Sequence, residues 1–291
     1  MSGERPLSFK CSAVISDVDG TLVTDDKVLT PRAQAAAAAL RANGIIFSII
    51  SSRPPRGLSM LLKPLGITTP VGCFNGGVLA TPELTIIAEH LLPAEVARSA
   101  VEMLEARGAQ AWIFSGEDWL LRRSDEPYVG LEQRTVRFAP TVVEELGPAL
   151  ARTAKIVGVS SDFDLLAGCE RDVRALLFDQ ASVARSQPYY LDITHPLANK
   201  GVALSEIAKL LGVPLPEIAV IGDGNNDVAM FERSGLSIAM GNASAQVQQA
   251  ADFVTDSNHD DGFANAIERF ILGGGRSHSP VETERAGDRT W

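Results

Sequence analysis

The chain has 291 residues, 45% of them hydrophobic and 21% charged, so it is globular, with room for two ordinary domains or one large one. A formal net charge of −10 with no basic block argues against nucleic-acid binding, although phosphate esters held through a metal and a few local cations stay open. Cys11, Cys73 and Cys169 are scattered without zinc or disulfide spacing, and no signal core or span-length apolar run is visible, so a soluble protein of the reducing cytoplasm, with no membrane partner, is expected.

The first predicted element is a buried strand, Val14-Ile15-Ser16, running into Asp17, Asp19 and Gly20. Residues two apart in extended backbone point the same way, so both carboxylates are expected to share one small space. Gly20 lets the chain turn sharply there. Crowded carboxylates need a shared proton or a cation, and Mg²⁺ suits oxygen ligands. With the metal in place, Asp17 is a candidate nucleophile toward phosphorus, and Asp19 a candidate carrier of the leaving oxygen's proton.

The stretch Asp17-Val18-Asp19-Gly20-Thr21-Leu22 resembles the first motif of the haloacid-dehalogenase superfamily of phosphohydrolases. The chain from about Ser12 to Leu272 is similar to its Cof-type branch. The resemblance implies an α/β fold: a Rossmann-like parallel-sheet core with an inserted α/β cap of the C2 type. The core is expected at 1–82 and 188–272, the cap at 83–187, and a disordered tail at 273–291.

Thr30 is the predicted N-cap of a helix with Pro31 at its first position; an alanine run extends to Asn43, and Gly44 ends it. Residues 45–50 are apolar almost throughout, as in a strand covered on both faces, which makes a βαβ unit. That strand ends at Ser51-Ser52-Arg53-Pro54. In open parallel sheets ligands sit beyond the carboxyl ends of the strands, so Ser51 falls on the same edge as Asp17. Its hydroxyl either caps the next helix or donates to a phosphoryl oxygen; the resemblance implies the second, as the family's second motif. The family often has Thr-Gly-Arg where this chain has Ser51-Ser52-Arg53. Arg53 and Arg56 either meet an anionic substrate or are solvated. Asn75-Gly76, between apolar runs, is a predicted turn.

Residues 81–187 change character. A helix is predicted from Pro93 to Arg107, closed by Gly108, and another from about Phe163 to Leu177. Strands are predicted at 111–114, 120–123, 155–159 and 182–184. Arg122, Arg123, Arg134 and Arg137 either grip an anionic substrate tail or are surface charges.

The core is expected to resume at Tyr189–Thr194. Lys200 then opens a helix that runs to Leu211, and an ammonium at a helix N-terminus can bind phosphate. The resemblance makes Lys200 the third motif. The strand 218–221 ends in Gly222-Asp223-Gly224-Asn225-Asn226-Asp227. Asp223 is implied as the remaining carboxylate of a Mg²⁺ site held by Asp17, Asp19 and Asp223. Asp227 is implied as a supporting partner that orients waters or Lys200. Asn226 is placed to donate its amide to phosphate.

Together these imply a magnesium-dependent phosphatase of a small phosphorylated metabolite, a sugar phosphate among the candidates, working through an aspartyl phosphate as a monomer or small homo-oligomer. One rival is a phosphotransferase or sugar phosphomutase using the same intermediate. The other is a catalytically silent binding protein of the same fold.

Overall fold

The computed structural model describes residues 9–273. Its first strand, β1 (Ala13–Ser16), is covered on both faces: Val14 packs into one apolar cluster, Ala13 and Ile15 into another. Burial of one such Val or Ile side chain stabilises by about 1.5–3 kcal/mol. Helix α1 (Pro31–Ala42) follows the expected punctuation. Thr30 Oγ1 accepts from the Ala33 N–H, Pro31 is the first helical residue, and Gly44 takes a φ of 72° just past the end. Ala33, Ala36 and Ala37 are buried, and their small side chains let α1 lie close to the core. Strand β2 (Ile46–Ile49) pairs in parallel with β1, and α2 (Pro55–Leu65) follows it. Then β3 (Val71–Cys73) and β4 (Val78–Ala80) form the expected hairpin, with Asn75 in its turn at φ 58°, and β5 (Ile86–Glu89) adds to β4.

The inserted unit contains α3 (Ala94–Ala106), β6 (Gln110–Ser115), β7 (Asp118–Leu121), α4 (Val129–Val136), β8 (Thr141–Val142), β9 (Thr153–Val159), α5 (Phe163–Leu177), β10 (Ser182–Gln187) and β11 (Tyr190–Thr194). Its strands form one six-stranded sheet in the order β10-β11-β9-β6-β7-β8. Helices α3 and α5 cover one face through Val96, Ala100, Leu104, Leu166 and Val173. The opposite face carries Trp112, Phe114, Trp119 and Val157 into the core's own apolar cluster. There Phe114 meets Phe74 at 5.5 Å between ring centroids, and Arg56 of α2 lies 4.6 Å from the centre of the Phe138 ring.

β5, which lies beyond the expected core boundary at 82, pairs with β4. The segment expected to return to the core at 188 contains β11, which is hydrogen-bonded between β9 and β10. Its alternation, Leu191 and Ile193 against Asp192 and Thr194, fits any half-covered strand, and only pairing assigns the sheet. Helix α4 is a second departure: it is bounded by Tyr128 and Arg137, left-handed residues with φ of 69° and 64°. Neither residue is a usual helix boundary signal. Strand β7 stops at Leu121, leaving Arg122 and Arg123 beyond it.

The chain returns through α6 (Lys200–Leu211), β12 (Ile218–Gly222), α7 (Val228–Phe231), β13 (Leu236–Ala239), α8 (Ala245–Ala250), β14 (Phe253–Val254) and α9 (Gly262–Ala266). The core sheet is β14-β13-β12-β1-β2, parallel throughout. β1 lies between β2 on one side and β12 on the other, so the connections diverge at its carboxyl end. That is where open α/β sheets form a binding crevice. The expected disordered tail lies outside the described residues apart from Gly273. Among the described residues no helix is long and apolar enough to cross a membrane. The three cysteines are free, Cys73 and Cys169 fully buried.

Candidate active site

Asp17 follows the last residue of β1, and its N–H donates to Ile221 O of β12 at 2.9 Å. Asp223 follows the last residue of β12. Register pairing of Ser16 with Ile221 therefore sets the two carboxylates side by side at one sheet edge. Asp227 completes the group: one oxygen from each of Asp17, Asp223 and Asp227 lies within 4.8 Å of the others. Two glycines make the space. A side chain at Gly20, which has φ 85°, would overlap the Asp223 carboxylate, and one at Gly222 would overlap Asp227.

Lys200, only 1% exposed, reaches into this group as the first residue of α6. Its ammonium donates to Asp17 Oδ1, and to Asp227 Oδ1 at 2.5 Å. Burial disfavours its charge, but Asp17 and Asp227 more than compensate and hold its pKa above the usual lysine value. Asp227 Oδ2 accepts the N–H groups of Asp223 and Gly224 at 2.9 and 2.8 Å. Both oxygens of Asp227 are thus engaged, one with Lys200 and the other with the Asp223 turn. Asp223 accepts from Thr21 Oγ1 at 2.8 Å. Burial, and then the neighbouring Asp227 charge, push the pKa of Asp223 up to about 6. Burial also raises Asp17 well above the carboxylate range; Lys200 opposes this, while Asp227 and Asp223 add to it.

The carboxylate of Asp19 does not join this cluster, contrary to the expected metal set. The chain leaves extended geometry after β1: Leu22 and Val23 N–H groups fold back onto Val18 O, and the two-residue alternation no longer applies. Instead Arg53 clamps Asp19, Nε to Oδ2 and Nη2 to Oδ1, both at 2.8 Å, and Lys27 adds a contact of 2.9 Å. Burial would raise the Asp19 pKa, but these two cations overcome it and hold the group at about 2. Ser51 is fully buried just beyond β2, and its Oγ accepts the Arg53 N–H at 3.2 Å rather than capping α2. Asn226 sits at the open side and donates to Asn75 Oδ1 at 3.0 Å.

Several residues of this site carried no distinct signal in the sequence. Lys27 lies in the turns after β1. Asn242, which donates to Gly20 O at 2.9 Å, follows β13. The cap contributes Glu132 of α4, close enough to Asp19 and Arg53 to feel both charges. Of the four cap arginines, Arg122 pairs with Glu105 and Arg123 with Asp125, while Arg134 and Arg137 are exposed. A surface cleft of about 320 Å³ lies between Glu105 and Glu126 and contains none of the carboxylates above; chemistry assigns the site to the sheet edge.

The group's donor set consists of hard carboxylate oxygens, which fits Mg²⁺. When all four are ionised, Asp17, Asp19, Asp223 and Asp227 face three cations, Lys200, Arg53 and Lys27, and one negative charge is left over. A divalent cation would reverse that sign and let a phosphate dianion approach.

Comparison with known proteins agrees with this geometry. The family model of haloacid dehalogenase-like hydrolases matches residues 14–267. A putative phosphatase of Haemophilus influenzae is 28% identical over 260 residues, covering 88% of this chain and 97% of its own. A 5-amino-6-(5-phospho-D-ribitylamino)uracil phosphatase of Bacillus subtilis is 27% identical over 262 residues, covering 88% and 96%. The crystal structure of a haloacid dehalogenase-like hydrolase from Bacteroides thetaiotaomicron superposes with a TM-score of 0.83 at 29% identity, over 89% of this chain and 99% of that one. With carboxylates, lysine and serine gathered at the sheet edge under a cap, the chain belongs to the haloacid dehalogenase-like hydrolases, in their Cof-type branch, and is a phosphoric monoester hydrolase.

Proposed function

We propose that the protein is a magnesium-dependent phosphatase of a small phosphorylated metabolite, with sugar phosphates among the candidates, and that it works through an aspartyl phosphate on Asp17. The observation that carries this reading is the pairing of Asp17 with Lys200 beside Asp223, at the carboxyl ends of β1 and β12. Asp17 and Asp223 would hold Mg²⁺, with Asp227 supporting them; bound there, the ion supplies positive charge to the phosphoryl oxygens.

The ammonium of Lys200 orients one oxygen of Asp17 and leaves the carboxylate to attack phosphorus. The new Asp17–phosphorus bond forms as the ester oxygen leaves, and that oxygen takes a proton from Asp19. Water then attacks phosphorus, gives its proton to Asp19, and the Asp17–phosphorus bond breaks to release inorganic phosphate. Ser51, Lys200 and Asn226 position the phosphoryl oxygens, and such positioning and electrostatics supply most of the catalysis in phosphoryl transfer. Before substrate enters, Arg53 and Lys27 keep Asp19 ionised. An incoming phosphate dianion competes for those two cations and so frees Asp19 to take up the proton it donates.

Relatives named as phosphatases, among them the uracil-derivative phosphatase above, support a small phosphate monoester as substrate. A screen of phosphorylated metabolites, scored by phosphate release with Mg²⁺ and with excess chelator, tests the reading. Release that depends on Mg²⁺ is expected. Undiminished release in chelator, or no release from any ester, would sink it; isomerised product with a need for sugar bisphosphate would reassign the protein as a mutase.

A further inference from the structure

A loop far from the first carboxylates in sequence is tied to them by a short chain of hydrogen bonds. Asn242, exposed just past β13, donates from Nδ2 to Gly20 O at 2.9 Å, and the same nitrogen lies 3.5 Å from Asp223 Oδ2. Its Oδ1 accepts the backbone N–H of Asn258 at 2.9 Å. In a side-chain amide the oxygen accepts and the nitrogen donates, so the Asn258 N–H fixes which way the Asn242 amide faces. With its oxygen turned to Asn258, its nitrogen faces Gly20 and Asp223. The Asp223 carboxylate is thereby bracketed: Thr21 Oγ1 donates to Oδ1 at 2.8 Å, and the Asn242 amide stands beside Oδ2. Donors on both sides limit its rotation and keep it turned as a metal ligand must be.

Asn258 is buried, 5% exposed, and its side chain holds a second group. Nδ2 donates to Val23 O at 3.2 Å and to Asp25 Oδ1 at 3.1 Å. These residues flank Thr24, whose N–H donates to Val28 O at 3.0 Å and whose O accepts the Lys27 N–H at 2.8 Å. Asn258 therefore grips the base of the turn that carries Lys27, the partner of Asp19. The loop around Asn258 is itself closely held. Thr255 Oγ1 donates to Gly262 O at 2.9 Å, and the Gly241 N–H donates to Asp256 O at 3.0 Å. A side chain at Gly241 or Gly262 would overlap the Asp256 backbone.

We infer that Asn242 and Asn258 are positioning residues of the phosphatase. Asn242 sets the Gly20 turn and Asp223, a carboxylate of the proposed metal site; Asn258 sets the Asn242 amide and the Lys27 turn beside Asp19. The inference rests on the phosphatase reading and deepens it. Each residue acts through a group already placed in the site, and outer partners of metal ligands commonly matter in this way.

The test measures three things on the full chain: Mg²⁺ affinity by calorimetry at pH 7.5, Tm in chelator, and nitrophenyl phosphate turnover with saturating Mg²⁺. In Asn242→Ala, Mg²⁺ should bind roughly tenfold to a hundredfold more weakly, while Tm in chelator stays near that of the wild type. Asn242→Ser, whose side chain stops short of Gly20 O, should lose affinity in the same way and serves if the alanine variant does not fold. Asn258→Ala, or Asn258→Ser should the first not fold, keeps the backbone N–H that orients Asn242, so Mg²⁺ affinity should stay within about threefold. Its kcat should instead fall roughly threefold to tenfold, with acid-quenched phosphoenzyme accumulating, because Asp19 is less well placed to activate water. Wild-type Mg²⁺ affinity in the Asn242 variants, with or without a loss of Tm, would overturn the inference. So would phosphoenzyme no higher in the Asn258 variants than in the wild type. In both cases Mg²⁺-dependent release by the wild type would still uphold the phosphatase. A wild type that neither binds Mg²⁺ nor releases phosphate would bring down both.

Discussion

Asp17 and Asp19 stand two residues apart yet meet different neighbours, and the difference sets their roles. Asp17 shares its space with Lys200 and Asp223, Asp19 with Arg53 and Lys27. Asp17→Asn keeps the shape but removes the attacking charge, so phosphate release should vanish while substrate still binds. Asp19→Asn should slow turnover about 10²–10⁴-fold, the usual worth of general acid–base help. With nitrophenyl phosphate, whose leaving group needs little protonation, the Asp19→Asn protein should accumulate phosphoenzyme. Acid quench and peptide mapping should find that phosphate on Asp17; a label elsewhere would overturn the assignment. Metal affinity should depend on pH for a related reason. Asp223 takes up a proton near pH 6, and a proton competes with a cation for the same oxygens. Titration with Mg²⁺ followed by calorimetry should show weaker binding at pH 5.5 than at pH 7.5, and equal affinities would argue against Asp223 as a ligand.

The two linkers that join core and cap carry a pair of histidines. His90 follows β5 and His195 follows β11; their rings stack with centroids 5.6 Å apart, and His90 contacts Glu206 of α6 at 3.2 Å. His195 Nδ1 accepts the Leu197 N–H at 3.1 Å, an arrangement that a proton on that nitrogen would break. Burial, and then the nearby His90, lower the His195 pKa below 6.5. A depressed pKa means the unfolded chain binds the proton more readily. The stability at stake is present above pH 6.5 and is lost as pH falls through the folded-state value. His195→Gln should therefore lose less Tm than the wild type between pH 7.5 and pH 5. Parallel losses in the two proteins would show that this histidine does not link pH to stability.

Across the whole molecule, the cap is anchored as well as inserted. Phe114, Trp112 and Trp119 from the cap sheet share one apolar cluster with Phe74 and the core strands. Truncating a buried Phe typically costs about 3–5 kcal/mol. Phe114→Ala should thus lower Tm and loosen the cap, measured as earlier proteolysis between 90 and 195; an unchanged cleavage pattern would mean the docking lies elsewhere. Because the inserted segment holds none of the core carboxylates nor Lys200, exchanging residues 90–195 for the cap of a relative should reorder substrate preference while Asp17 and Lys200 stay in place. An unaltered order in a folded chimaera would place selectivity in the core.

The sequence by itself determined the core and the carboxylate–lysine centre. Strands apolar on both faces, alternating with helices, fit a parallel sheet covered on both sides, and the capping residues Thr30, Pro31 and Gly44 punctuate their helix through local backbone preference. The short motifs at Asp17, Ser51, Lys200 and Asp223 were legible because each closes a predicted strand or opens a predicted helix, and a parallel sheet brings such ends to one edge. Only the tertiary structure decided where Asp19 points, which sheet β11 joins, and that α4 docks on α2. Asp19 turns away because its partners, Arg53 and Lys27, approach from separate loops. The alternating pattern of β11 fits any half-covered strand, so its pairing with β9 settles its place. α4 starts and ends without the residues that usually mark a helix, and it is held by packing against α2 rather than by its own sequence. These features depend on which distant groups meet, and no local pattern records that.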